Sequence, residues 1–147
     1  MESTVADILK TKGSTVHTIE RDANALEAIA RMSERGVGSL VVMDGDSVCG
    51  IVTERDFLRK VTLKGLPPKD TKVGDIMTEK VMVTSPEDSL EQCMAVMTEQ
   101  RFRHLPVVDG GELAGIVSIG DLIKQMSHDR KFQIKYLTDY ITDKYPG

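Results

Sequence analysis

Residues 50–56 read GIVTERD and residues 115–121 read GIVSIGD, nearly the same phrase written twice, 65 positions apart. Taken alone, each phrase marks a strand running into a helix. Thr53 and Asp56 stand ahead of Phe57 and Leu58; Ser118 and Asp121 stand ahead of Leu122 and Ile123. A hydroxyl followed three residues later by an acid is a helix-start pattern, in which the hydroxyl accepts from a first-turn N–H and the acid reaches back. The likeness extends well beyond the phrase. VGSLVVMDGDSVCGIVTERDFLRKV (37–61) lies over FRHLPVVDGGELAGIVSIGDLIKQM (102–126). Identical pairs include Leu40/Leu105, Val42/Val107, Asp44/Asp109, Gly45/Gly110, Gly50/Gly115 and Asp56/Asp121, and upstream Val16/Val81, Ala30/Ala95, Met32/Met97 and Glu34/Glu99. Residues 16–61 align on 81–126 without a gap and share twelve identities, where chance gives roughly three. The chain contains an internal duplication.

Each copy carries the same order of elements. A short extended piece comes first, VHTI (16–19) or VMVT (81–84). A helix follows, with Ala25, Ile29 and Met32 in one copy and Leu90, Met94 and Met97 in the other at i, i+4 and i+7. Ser85-Pro86-Glu87-Asp88 reads as the entrance of the second of these helices, with proline at the first helical position. Two apolar runs then flank Asp44-Gly45 or Asp109-Gly110 and make a hairpin. A second helix begins at the repeated phrase. The order β-α-β-β-α, written twice, defines an α+β fold. Residues 1–65 form the first repeat and 66–126 a connector and the second repeat. In the connector, TLKGLPPKDTKVGD (62–75) is rich in glycine, proline and charge. Phe132, Tyr136, Leu137, Tyr140 and Ile141 give 127–147 the spacing of an amphipathic helix without a counterpart in the first copy.

Composition narrows the class of protein. The chain has 147 residues, 40% apolar and 29% charged, as a globular protein does. A net charge of −4 and a pI near 5.4 argue against a nucleic-acid or anionic-membrane partner. No apolar run approaches the ~20 residues that span a bilayer, and MESTVADILK lacks the features of a signal peptide. The cysteines, Cys49 and Cys93, sit in apolar patterns without ligand spacing, so a metal is not expected. A reducing, cytoplasmic location is the simplest expectation. No nucleophile elbow, HExxH or P-loop occurs, so no catalytic residue is assigned and an enzyme is not expected.

The paired phrase, LPVVD (105–109) and VGDIMT (73–78) together resemble the tandem cystathionine β-synthase (CBS) domain pair. The resemblance spans about residues 5–126. It implies two repeats related by a pseudo-twofold axis, with adenosyl ligands held in the clefts between them. AMP is the leading candidate, with ATP, ADP, NAD and S-adenosylmethionine the others. It also implies a homodimer of pairs that senses metabolite status and regulates another protein.

By the same resemblance Asp56 and Asp121 receive the ribose hydroxyls, and Thr53 and Ser118 contact ribose or phosphate. Thr18, Val83, Ser39 and His104 flank adenine, against which Ile51, Ile116 and Met77 pack. The residues themselves agree with such chemistry. A helix start favours an anion, and a carboxylate accepts from vicinal hydroxyls. The copies differ where phosphate would lie. Arg55 stands against Gly120, and Arg103-His104 against Gly38-Ser39. Arginine's fork suits phosphate oxygens, so the site with Thr53, Arg55 and Asp56, joined by Arg103 or His104, is expected to be the stronger anion site. The competing expectation is a structural or interaction protein that acts by dimerisation or partner docking without a ligand.

Overall fold

The computed structural model describes residues 3–79 and 81–129. The expected helix over 127–147 lies outside the described residues except for its first three positions, which continue the preceding helix to Asp129. The described chain divides into two compact units. One holds residues 15–82 and 110–113, the other 3–14, 83–109 and the remainder from 114.

In the first-repeat unit, β1 (Thr18–Glu20) runs parallel to β2 (Ser39–Asp44), and β2 pairs antiparallel with β3 (Ser47–Thr53). Helix α2 (Ala25–Arg35) connects the parallel pair. Its N-cap is Asn24, whose side chain accepts from Glu27 N at 2.8 Å, and Ala25, Ala28 and Met32 bury its inner face. The two-residue hairpin turn Gly45-Asp46 falls where Asp44-Gly45 predicts it, with Gly45 at φ +62°. The register slips between Val42 and Met43, so Cys49 is the extra residue of a bulge. Helix α3 (Glu54–Phe57) follows directly and passes into a π-helical turn over Leu58–Thr62. The core gathers Ile19, Met32, Leu40, Val42, Val52 and Val61.

The second-repeat unit follows the same plan, with α5 (Leu90–Gln100), the β4 (His104–Asp109) and β5 (Glu112–Ser118) hairpin, and α6 (Ile119–Asp129). Two local expectations change. The extended piece at 81–84 is reduced to one parallel bridge, Thr84 with Val107. In the first repeat Val41 N donates to His17 O at 3.0 Å. The residue equivalent to Val41 is Pro106, which has no N–H to donate, so that rung cannot form. Thr84 N still donates to Pro106 O (2.9 Å) and Val108 N to Thr84 O (2.8 Å).

The helix also begins later than Ser85-Pro86 predicts. Its N-cap is Ser89, paired with Gln92 in a capping box. Residues 85–88 close a turn instead, in which Asp88 Oδ2 accepts from Ser85 N (2.9 Å) and the Thr84 hydroxyl (2.7 Å).

Each unit is completed by a helix that precedes the other repeat in the chain. Helix α1 (Val5–Lys12) packs in the second-repeat core, where Val5 and Ile8 meet Leu90, Cys93 and Met97. Helix α4 (Val73–Ile76) packs in the first-repeat core through Val73, Ile76 and Met77. The docking bonds match one for one. Val5 N donates to Asp88 O (3.0 Å) and Ala6 N to Pro86 O (2.9 Å); Val73 N donates to Ala23 O (2.8 Å) and Gly74 N to Arg21 O (2.9 Å). VADIL (5–9) and VGDIM (73–77) are therefore equivalent segments, set 68 rather than 65 residues apart. Packing cuts across chain order because the two segments present the same apolar spacing to the same kind of core.

Candidate functional site

The repeated hydroxyl and acid lie at the same structural place in both units, where the last strand of the hairpin enters a helix. In the first-repeat unit Thr53 closes β3 opposite Ser39 at the start of β2, and Thr18 opens β1 beside Val41. In the second-repeat unit Ser118 closes β5 and His104 opens β4. The capping box predicted from sequence forms in both. Asp56 N donates to Thr53 Oγ1 (3.0 Å) and Thr53 N to Asp56 Oδ2 (3.0 Å). Asp121 N donates to Ser118 Oγ (3.1 Å) and Ser118 N to Asp121 Oδ2 (2.9 Å). Local chain geometry thus aims both acids back at the strand end.

Each acid also meets a lysine that the sequence reading missed. Lys60, one helical turn after Asp56, reaches Asp56 Oδ1 at 3.1 Å and donates to Ile76 O at 2.9 Å. Thr78 Oγ1 is 3.4 Å from both Asp56 oxygens. Asp56 is consequently buried, 8% exposed. Asp121 is held by Lys12 of α1, whose Nζ lies 2.6 Å from Oδ2 and 2.9 Å from Ile116 O. The i, i+4 spacing of Asp56 and Lys60 was readable as a helical ion pair. Lys12 was not, because the gapless alignment hid the likeness of α1 to α4.

The remaining residues divide plainly. Arg55 is exposed on α3, and Arg103 is exposed just before β4. Val83 is 50% exposed, and Ile116 is half-buried. Met77 lies inside, 7% exposed, its sulfur 3.9 Å from Cys49 Sγ. A core packing role accounts for it, since its side chain fills the space above Gly50.

Charges in the second-repeat unit are mutually adjusted. Burial would raise the Asp121 carboxyl, but the Lys12 and Ser118 hydrogen bonds outweigh it and hold the group below its ordinary value. Burial pushes the His104 imidazole below its usual range, and Lys12 and Arg103 act in the same direction against Asp121. His104 is therefore neutral near pH 7 and brings one donor and one acceptor. Asp88 is also held low, first by Ser85 N and then by the Thr84 hydroxyl. Burial raises both thiols, Cys93 being 2% exposed and Cys49 half-buried. That opposes thiolate chemistry. Among the described residues no cluster has the donors to hold a metal, and no helix is long and apolar enough to cross a membrane.

Comparison with known proteins places the fold. The CBS-domain family model matches residues 4–63 and again 73–128, and the chain belongs to the CBS-domain family as a tandem pair. A curated relative, the Arabidopsis thaliana mitochondrial CBS domain-containing protein CBSX3, is 36% identical over 97% of this chain and 74% of its own length. The solved structure of a protein with CBS domains from Burkholderia ambifaria is 50% identical with a TM-score of 0.80, covering 87% of this chain and 96% of that one. A hexameric CBS-CP12 protein from bloom-forming cyanobacteria is 32% identical with a TM-score of 0.70, covering 82% and 69%. CBS pairs are in general regulatory, non-catalytic modules that bind adenosyl ligands.

Proposed function

We propose that this chain is a regulatory sensor that binds an adenosyl ligand, AMP foremost, at the hydroxyl–acid pairs Thr53/Asp56 and Ser118/Asp121, and has no catalytic activity of its own. The observation that carries the reading is the placement of Asp121. A carboxylate held below its ordinary value, partly exposed and fixed at the end of β5 by the Ser118 N–H, lies near enough to His104 at the start of β4 to act on its charge. A carboxylate so held accepts from a vicinal diol without reorganising. Neutral His104 suits the edge of an uncharged base. Ligand occupancy alters the protein only by binding one of its conformations better than another. The reading includes a homodimer of pairs acting on a separate protein and a cytoplasmic location, with two unpaired cysteines as support.

Titration calorimetry with AMP, ADP, ATP, NAD and S-adenosylmethionine tests the proposal. At least one ligand binds in the micromolar-to-millimolar range, and Asp121→Ala weakens it by about 1.5–3 kcal/mol, the worth of a hydrogen bond to a charged group. The absence of binding by every ligand at millimolar concentration refutes it and favours an interaction protein. Light scattering with and without ligand reads the oligomeric state, and cell fractionation the location.

A further inference from the structure

The two acids of the proposed site are not equivalent acceptors. Asp56 uses both oxygens. Oδ1 meets Lys60 Nζ and the Thr78 hydroxyl, and Oδ2 meets Thr53 N, Thr53 Oγ1 and Thr78. Asp121 uses one. Ser118 N and Lys12 Nζ both bind Oδ2, and Oδ1 has no partner among the described residues. The Asp121 side chain is 24% exposed against 12% for Asp56.

Lys12 shows the complementary feature. An ammonium carries three N–H donors. Ile116 O and Asp121 Oδ2 take two of them, and the third has no acceptor among the described residues. The side chain is 35% exposed. One accepting oxygen and one charged donor thus stand side by side, fixed by the same ion pair. Lys12 also offsets the Asp121 charge, which would otherwise repel an approaching anion.

We propose that Lys12 is a ligand-contacting, specificity-determining residue of the second-repeat site, selecting a nucleoside monophosphate over the free nucleoside. A sugar hydroxyl donates to Asp121 Oδ1, and a phosphate oxygen accepts the third Lys12 N–H. The assignment rests on the adenosyl reading above. It moves the stronger anion site from the repeat that carries Arg55 to the repeat that α1 completes. Arg55 sits on a short, exposed helical turn beside an acid whose oxygens are already engaged.

Calorimetry of the full chain, wild type against Lys12→Met and Lys12→Arg, with AMP and adenosine as probes, tests it. Lys12→Met weakens AMP about tenfold or more, the worth of a charge-assisted contact, and changes adenosine by less than about twofold. Lys12→Arg recovers most of the AMP affinity. Equal losses for AMP and adenosine would reduce Lys12 to a structural tie and overturn the assignment. Unchanged AMP affinity in a folded Lys12→Met protein would overturn it while leaving the adenosyl reading intact. If the wild type binds neither probe, the assignment falls, and the adenosyl reading falls with it only when ADP, ATP, NAD and S-adenosylmethionine fail to bind as well. Lys12→Gln replaces the methionine variant if that one does not fold, with the same outcomes.

Discussion

Gly50 and Gly115 are repeat equivalents, yet alanine at the two positions has different consequences. A Cβ at 50 would lie 2.7 Å from Met77 Sδ and 2.9 Å from Thr78 O. The thioether tip rotates away. The carbonyl cannot, because Thr78 exchanges two backbone hydrogen bonds with Ile51, at 3.1 and 2.8 Å. At 115 the Cβ would meet only the tip of Leu9, 2.7 Å from Cδ2. Overpacking against an immovable neighbour costs about 1–3 kcal/mol. Restriction of the unfolded chain returns about 0.4–1 kcal/mol to an alanine. Taking mid-range values of about 2 and about 0.7 kcal/mol, Gly50→Ala loses about 1–2 kcal/mol net, and Gly115→Ala, whose neighbour can move, between about zero and 1. For a chain of this size each kcal/mol moves the midpoint by about 2–4 °C, so Gly50→Ala melts about 2–8 °C lower and Gly115→Ala within about 4 °C of wild type. Thermal and urea unfolding of both variants measure this. A Gly115→Ala loss equal to or larger than that of Gly50→Ala would refute the argument that backbone immobility decides the cost.

Two further predictions follow from particular bonds. Pro106→Val supplies the N–H that the second repeat lacks, and amide exchange at position 106 is then slow because that group bonds to the Met82 carbonyl, as Val41 N does to His17 O; rapid exchange in a folded variant would contradict the explanation of the missing strand. Acid stability falls in two stages. His104 is lowered by folding, so below its unfolded value of about 6.5 the unfolded chain binds the extra proton and stability declines as pH drops toward the folded value. Asp88 and Asp121 are also lowered, so their contribution is complete above about 3.9 and is lost as pH falls through their folded values. Urea midpoints against pH record both stages, and His104→Gln removes the first. Stability that rises between about pH 6.5 and 5.5 would contradict the sign.

Much of the site was legible because capping is local. A hydroxyl and an acid three residues apart close the same pair of bonds wherever a strand enters a helix, and Thr53/Asp56 and Ser118/Asp121 do so in both units. The start of α5 was misread for a related reason. Ser85-Pro86-Glu87-Asp88 has helix-entrance chemistry, but the carbonyls of Pro86 and Asp88 accept from α1, a competitor about 80 residues away in the chain.

The amino-acid sequence by itself determined the duplication, through identities at one constant offset, and the β-α-β-β-α order, the tight hairpin turns and the caps at the repeated phrase, which depend on spacing within a few residues. Only the tertiary structure decided that each leading helix completes the other repeat's core, and that Lys12 is the cation that answers Asp121. Lys60 reaches Asp56 along one helix turn, whereas Lys12 reaches Asp121 across 109 residues of chain. An ion pair requires only that two groups be near in space, and a folded core brings together residues whose separation along the chain carries no trace of that nearness.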